Sequence, residues 1–295
     1  MARVRAATKP TERKRWLLVY NCQVMGLGNC LNLLSDEIEV ESYDPAAFKK
    51  QSEQLLDRSD EFDLVLVSPK LETNLEIDRT RFRQFWSVPT IFFDAYHPDL
   101  CHLVTADGQP LKGATGDYHS LIAYAAFRCG FSARETVLLY RDEVYGALGY
   151  YAFWDGARDA LLRQFRDCGL SMDARFANWT RNGPFMYSNN HPRIHCIRDV
   201  ACALLDRAGF EANYREALPH DNLANAPIFP VYPEIASTLG VTGSYLFKRA
   251  GYSGFMRLDD FVTSSYALYR ELDVSIHPLH KALFDRTLPI VSEML

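Results

Sequence analysis

Three short apolar runs, at residues 16–20, 62–67 and 88–93, are separated by stretches in which leucine and phenylalanine recur at helical spacing. That alternation predicts strands paired in parallel, because each intervening helix carries the chain back along the sheet before the next strand begins. In parallel sheets the ligand-handling loops lie at the carboxyl ends of the strands. Here those ends deliver Asn21-Cys22-Gln23, Ser68-Pro69-Lys70 and Asp94-Ala95-Tyr96-His97.

The helical stretches are expected at 29–34, at 44–59 after an Asp44-Pro45 start, and at 71–86. Beyond a glycine- and proline-punctuated loop at 101–118, further helices are expected at 120–129, 134–139, 155–167, 194–208 and 258–272. The fold class read from this order is α/β. A flavodoxin-like parallel-sheet subdomain at 16–118 is embedded in a single domain, 16–295, whose remainder from 119 is mostly helical. Residues 1–15 hold six basic side chains and one acid, Glu12, and read as a disordered basic leader.

With 295 residues, 48% of them hydrophobic, the chain can bury one large core or two modest ones. Its 32 Lys and Arg against 37 Asp and Glu give a net charge of −5, no general electrostatic reason to hold nucleic acid. No apolar span of about 18 residues or more is found, so a membrane span is not expected. The seven cysteines are an odd number without framework spacing or a C-x-x-C pair, which fits reduced thiols in a cytoplasm and gives no zinc ribbon.

Cys22 falls at a strand-to-helix corner. Backbone N–H groups opening a helix are unpaired and the dipole there is positive, a setting that favours a thiolate or a developing oxyanion. The plainer alternative is a small buried residue at a strand end; the amides of Asn21 and Gln23 on either side are unusual company for that. A nucleophilic thiol needs a base, and two histidines stand in extended, loop-like settings fixed by a following proline: His97 in Tyr96-His97-Pro98-Asp99 and His191 in Asn189-Asn190-His191-Pro192. His191 with His195, and Cys101 with His102, lack carboxylates at ligand spacing, so no metal is expected. The glycines of Gly26-Leu27-Gly28 match neither a dinucleotide fingerprint nor a P-loop. Cations in loop or turn settings, among them Lys70 and Lys248, are what an anionic carrier would need, and Gly243-Ser244-Tyr245-Leu246-Phe247-Lys248 is the most distinctive of these settings.

Taken in order, Asn21-Cys22-Gln23, Tyr96-His97-Pro98-Asp99, Asp117-Tyr118-His119-Ser120 and Asn190-His191-Pro192 resemble the WcbI family of bacterial capsule polysaccharide biosynthesis enzymes, over roughly 16–210. The resemblance implies a cradle-like α/β protein that binds coenzyme A beside a loop-helix motif and acts as a sugar O-acetyltransferase. The candidate catalytic residues, read from their sequence settings, are Cys22, His191, His97, Asn21 and Gln23. Implied coenzyme A contacts are Gln23, Gly26, Lys70, His119, Asn190, Ser244, Tyr245 and Lys248. A second likeness, to SGNH hydrolases and acyltransferases, departs from the pattern at Cys22, where serine is expected, and at Ser188, where aspartate is expected.

The expected function is therefore a cytoplasmic transfer of acetyl from acetyl-coenzyme A to a hydroxyl of a saccharide or sugar nucleotide, with other polysaccharide biosynthesis proteins as possible associates. In one version Cys22 accepts the acyl group. In the other a histidine activates the acceptor directly, while Cys22 lines the thiol end of the pocket. A thiol esterase or deacetylase, and a non-catalytic coenzyme A- or glycan-binding subunit, are the rival readings.

Overall fold

In the computed structural model, residues 13–249, 251, 253–272 and 274–294 are described; the expected leader lies outside them through residue 12. The chain divides into two compact units, 1–90 with 164–172 and 194–221, and 91–163 with 173–193 and 222–295. The sequence predicts a subdivision at 118; in the structure the first division comes at 90, just after the last strand of the first sheet has ended.

The first unit is built on a four-stranded sheet ordered β2-β1-β3-β4, parallel throughout. Its strands are β1 (Lys14–Val19), β2 (Ile38–Tyr43), β3 (Leu64–Val67) and β4 (Phe85–Ser87). Helices α1 (Val24–Leu34), α2 (Pro45–Asp57) and α3 (Pro69–Asn74) connect them in turn. The Asp44 side chain caps α2 by accepting from the Ala47 amide at 2.8 Å, and Pro45 supplies the preset first turn. All four residues of β3 and the last four of β1 are buried, as central strands covered on both faces require.

Strand β1 begins two residues before the apolar run, at Lys14, whose ammonium pairs with Asp63 at 3.1 Å. The expected strand at 88–93 is not one. Pairing ends when the Val88 amide bonds the Val67 carbonyl, since Pro89 has no N–H to continue the ladder. Val88, Ile91 and Phe93 are nonetheless buried, each by side-chain packing. The helix expected over 71–86 is also shorter: Glu76 adopts a left-handed φ of 50° and Asp78 caps a separate turn through the Thr80 amide, which frees 85–87 to pair as β4. Strand β2, with glutamates alternating between Ile38 and Val40, is the edge strand the apolar-run reading passes over.

The first unit also takes in α9 (Ile194–Ala208), which packs along α1. Gly26 permits that packing, because a Cβ there would stand 3.0 Å from the Ile197 side chain.

The second unit is mostly helical. Its helices are α4 (Leu121–Arg128), α5 (Ala133–Val137), α6 (Asp142–Ala147), α7 (Phe153–Asp167, grouped here through 163), α8 (Asp173–Trp179), α10 (Pro233–Leu239), α11 (Leu258–Glu271) and α12 (Lys281–Ser292). Short strands pair antiparallel: β5 (Leu100–Cys101) with β7 (His119–Ser120), β6 (Leu103–Thr105) with β12 (Val274–Ile276), β8 (Met186–Ser188) with β9 (His191–Pro192), and β10 (Phe247–Lys248) with β11 (Phe255–Met256). Its interior is aromatic; Phe93 alone meets the rings of Tyr96, Trp154, Phe176 and Phe185 at centroid distances of 4.9–5.8 Å. Among the described residues no helix is long and apolar enough to cross a membrane.

Candidate functional site

In the first unit the corner between β1 and α1 holds Asn21, Cys22 and Gln23 at the carboxyl edge of the sheet. The Asn21 side-chain oxygen accepts from the Gln23 amide at 3.0 Å, and its carbonyl accepts from the Val24 amide at 2.9 Å. Two of the N–H groups that open the helix are thus already used, which reduces what the corner can offer a negative charge. Cys22 is the exposed thiol of the seven cysteines; the others are buried or half-buried. Packing around the corner pushes its pKa up to about 11, and its own backbone N–H only partly offsets that, so the reachable thiol is protonated at neutral pH. Gln23 is buried and Gly26 faces α9. Just beyond the neighbouring strand β3, Lys70 is exposed in the first turn of α3.

In the second unit the structure gathers a polar group around Tyr118. Its hydroxyl donates to the Asn190 side-chain oxygen at 2.7 Å and lies 3.1 and 3.2 Å from the two ring nitrogens of His191. The Ser188 hydroxyl donates to the same Asn190 oxygen at 3.0 Å. Burial lowers the His191 pKa to about 4, so the imidazole is neutral at pH 7 and a weaker base than an ordinary histidine. Two buried oxygens on the flanking residues, Asn189 Oδ1 and Asp117 Oδ1, have no hydrogen-bond partner, an unmet demand of the kind a polar ligand satisfies. Tyr118 belongs to one of the sequence motifs but is not among the expected site residues. Its role depends on a contact 73 positions away, and the only local signal is the polar run 117–120 around it.

His97 sits apart from that group. It is 2% exposed, neither ring nitrogen has a hydrogen-bond partner, and burial lowers its pKa to about 3, with the nearby Phe229 backbone opposing weakly. A ring so sealed packs as a core side chain. Two positions further on, the buried Asp99 accepts from the Ile122 amide at 2.8 Å, Tyr150 at 3.0 Å and Tyr232 at 2.6 Å. Desolvation raises Asp99 to about 6 in spite of these donors.

The remaining expected contacts are already engaged within their unit. His119 is buried, its ring 3.1 Å from the Leu111 carbonyl and 3.3 Å from the Tyr269 hydroxyl. Lys248 donates to the Ala224 carbonyl. The Ser244 hydroxyl accepts from the Leu246 amide at 3.3 Å, and Tyr245 donates to Glu234 at 2.7 Å while lining a cavity of about 570 Å³ with Leu246 and Arg257. Among the described residues no three His, Cys, Asp or Glu side chains converge as a metal site.

The sequence profile of a family described as polysaccharide biosynthesis enzyme WcbI matches residues 15–213. A solved structure of WcbI, presented as a novel polysaccharide biosynthesis enzyme, superposes with a TM-score of 0.69 at 14% identity, covering 96% of this chain and 98% of that one. It is described as the native protein without a disulfide bond between coenzyme A and one of its cysteines. No curated protein matches the chain significantly.

Proposed function

The chain belongs to the WcbI family of polysaccharide biosynthesis enzymes, and on that footing we propose that it binds acetyl-coenzyme A and passes the acetyl group to a hydroxyl of a surface-polysaccharide sugar or its precursor. The observation that carries this reading is the Cys22 thiol, exposed at the carboxyl edge of the parallel sheet. A cysteine that can form a disulfide with coenzyme A must be reachable and must meet the pantetheine sulfur. Cys22 has that accessibility, and Lys70, just after the adjacent strand, offers a cation to the anionic carrier. The residues present therefore fit the group.

Of the two chemical routes, direct transfer suits the chain better. A thiol with a pKa of about 11 is a poor resting nucleophile at neutral pH. In the direct route His191 takes the proton of the acceptor hydroxyl as its oxygen bonds the acetyl carbon. The carbon–sulfur bond breaks, and His191 returns the proton to the leaving sulfur. Tyr118 and Asn190 hold the imbalance of charge in place, and Asn189 and Asp117 present acceptors for the sugar's remaining hydroxyls. In this route Cys22 does not bond the acyl group.

Calorimetric titration of coenzyme A and acetyl-coenzyme A into the wild type and Cys22→Ala tests the ligand. Binding to the wild type, weakened in the variant, is expected; no binding to the wild type overturns the reading. Release of free acetate from an acetylated sugar without acetyl-coenzyme A would instead mark a hydrolase. Full activity of both Cys22→Ala and His191→Ala in a reconstituted system would mark a binding subunit.

A further inference from the structure

At the amino edge of the same sheet, the end away from Cys22, the starts of β1, β3 and β4 enclose a cavity of about 480 Å³. That volume falls within the roughly 300–1,000 Å³ of small-ligand sites. Three cations line it, Lys14, Arg83 and Arg207, against one carboxylate, Asp63. The acid is already answered: Lys14 pairs with it at 3.1 Å and the Arg15 amide donates to it at 3.0 Å. Neither Arg83 nor Arg207 has a carboxylate within ion-pair distance among the described residues; Arg83 acts on Asp63 only through space, so neither guanidinium is locked to an acid.

Arg207 is held ready. Its guanidinium carbon lies 4.1 Å over the Trp86 ring, and one of its nitrogens donates to the Cys168 carbonyl at 2.6 Å. A guanidinium fixed in advance loses less freedom on binding an anion than a floppy one does. Trp86 and Phe210 supply half-buried ring surface at the same place. A second cavity, of about 360 Å³, shares Lys14, Asp63 and Arg83 with the first, so the two run together as one groove along the sheet edge.

An elongated groove with flat rings, a pre-set cation and charges of both signs matches the repeated rings, hydroxyls and anionic substituents of a polymer more closely than a single compact metabolite. We propose that this groove binds a saccharide chain carrying carboxylate groups, holding a polymeric acceptor at the amino edge of the sheet. The proposal rests on the reading that the acceptor is a saccharide. The six residues of β1, at about 3.3 Å each, separate it from the Cys22 corner by about 20 Å. The groove is thus a holding site, and the chemistry belongs elsewhere.

The test titrates the full chain with a hyaluronan tetrasaccharide, the uncharged cellotetraose, coenzyme A and a short single-stranded oligonucleotide. Binding of the hyaluronan fragment, not of cellotetraose, is expected, weakening as salt rises because the groove is open to solvent. Arg83→Ala removes an exposed side chain and should weaken that binding about tenfold while leaving coenzyme A affinity unchanged. Arg207→Gln, checked for folding by thermal melting, should do the same. The proposal is overturned by equal binding of both tetrasaccharides, by binding of the oligonucleotide alone, by no saccharide binding, or by an Arg83→Ala affinity equal to wild type. Failure of the acetyl-transfer reading has a different signature, the loss of coenzyme A binding by the wild type.

Discussion

At the β1–α1 corner Cys22 is an exposed residue whose thiol is nonetheless partly desolvated by packing, and the groups fixing its backbone are amides and carbonyls of the same turn. Around Asp99, in the other unit, a carboxylate and the neighbouring His97 are enclosed by rings and do not meet water. Both regions carry residue types that sequence reasoning associates with catalysis. Accessibility separates them: a reactive side chain sealed in hydrocarbon is a structural element, and a modest one at an open strand end is a candidate for chemistry.

If the enclosed region is structural, breaking it should be costly. Asp99→Ala leaves the Ile122 amide and two tyrosine hydroxyls without their acceptor in a buried space. At about 1–3 kcal/mol for each unsatisfied donor, a loss of about 4 kcal/mol or more is expected in urea denaturation. A loss under about 1 kcal/mol would show that water reaches the cluster and would dissolve the contrast.

Gly243→Ala comes next, at about 2 kcal/mol. Its Cβ would stand 2.8 Å from the Pro233 Cα and 2.9 Å from the Val231 carbonyl, backbone atoms that cannot step aside. At Gly28 in the first unit the corresponding clash, 2.1 Å, is with the Ser42 hydroxyl, which can rotate away. Equilibrium unfolding of the two alanine variants should therefore rank Gly243→Ala as the more damaging, and the reverse order would place the rigid packing in the wrong unit.

Acid titration sharpens the comparison further. His97, His191 and His280 are lowered to about 3, 4 and 4 by burial, so the unfolded chain binds protons on them below about 6.5 that the folded chain refuses. Their contribution is present above 6.5 and is lost as pH falls toward 4. Asp99, raised to about 6, has the opposite sign: the folded chain holds its proton more tightly, and that contribution is lost as pH rises through 6. Three groups outweigh one, and the melting temperature should fall from pH 7 to pH 4.5. His97→Phe replaces an unpartnered ring by an apolar one, so it should change stability at pH 7 by about 1 kcal/mol or less and flatten the acid slope. An unchanged slope in this variant would mean that His97 is hydrated.

The two regions were also unequally legible in the sequence. The strands and helices around Cys22 follow from local signals: four buried residues in β3, the Asp44-Pro45 start of α2, and the apolar spacing of α9. What misled there was burial without a continued strand ladder at 88–93, since apolar runs report proximity to a core and not the pairing that accompanies it. In the second unit, strands of two residues carry no period to detect. Tyr118 meets His191 only because the chain folds back across 73 positions, a relation that no local pattern encodes. His97 and His191 share the same His-Pro context and are both buried; the Tyr118 hydroxyl beside His191, against ring nitrogens without a partner on His97, tells them apart.

The smallest expected effect on stability is at the open corner, and it is the most diagnostic. Cys22→Ala removes an exposed sulfur, so unfolding free energy should change by no more than about 0.5 kcal/mol. In the wild type, alkylation of Cys22 by iodoacetamide, followed by peptide mass mapping, should report the raised pKa directly. Below a pKa of about 11 the thiolate fraction grows about tenfold for each pH unit, so the rate should climb steadily from pH 7 to pH 9. A thiol activated by the helix terminus would instead reach its full rate near neutrality. A plateau below pH 8 would make Cys22 a resting nucleophile, and the covalent route would displace direct transfer through His191.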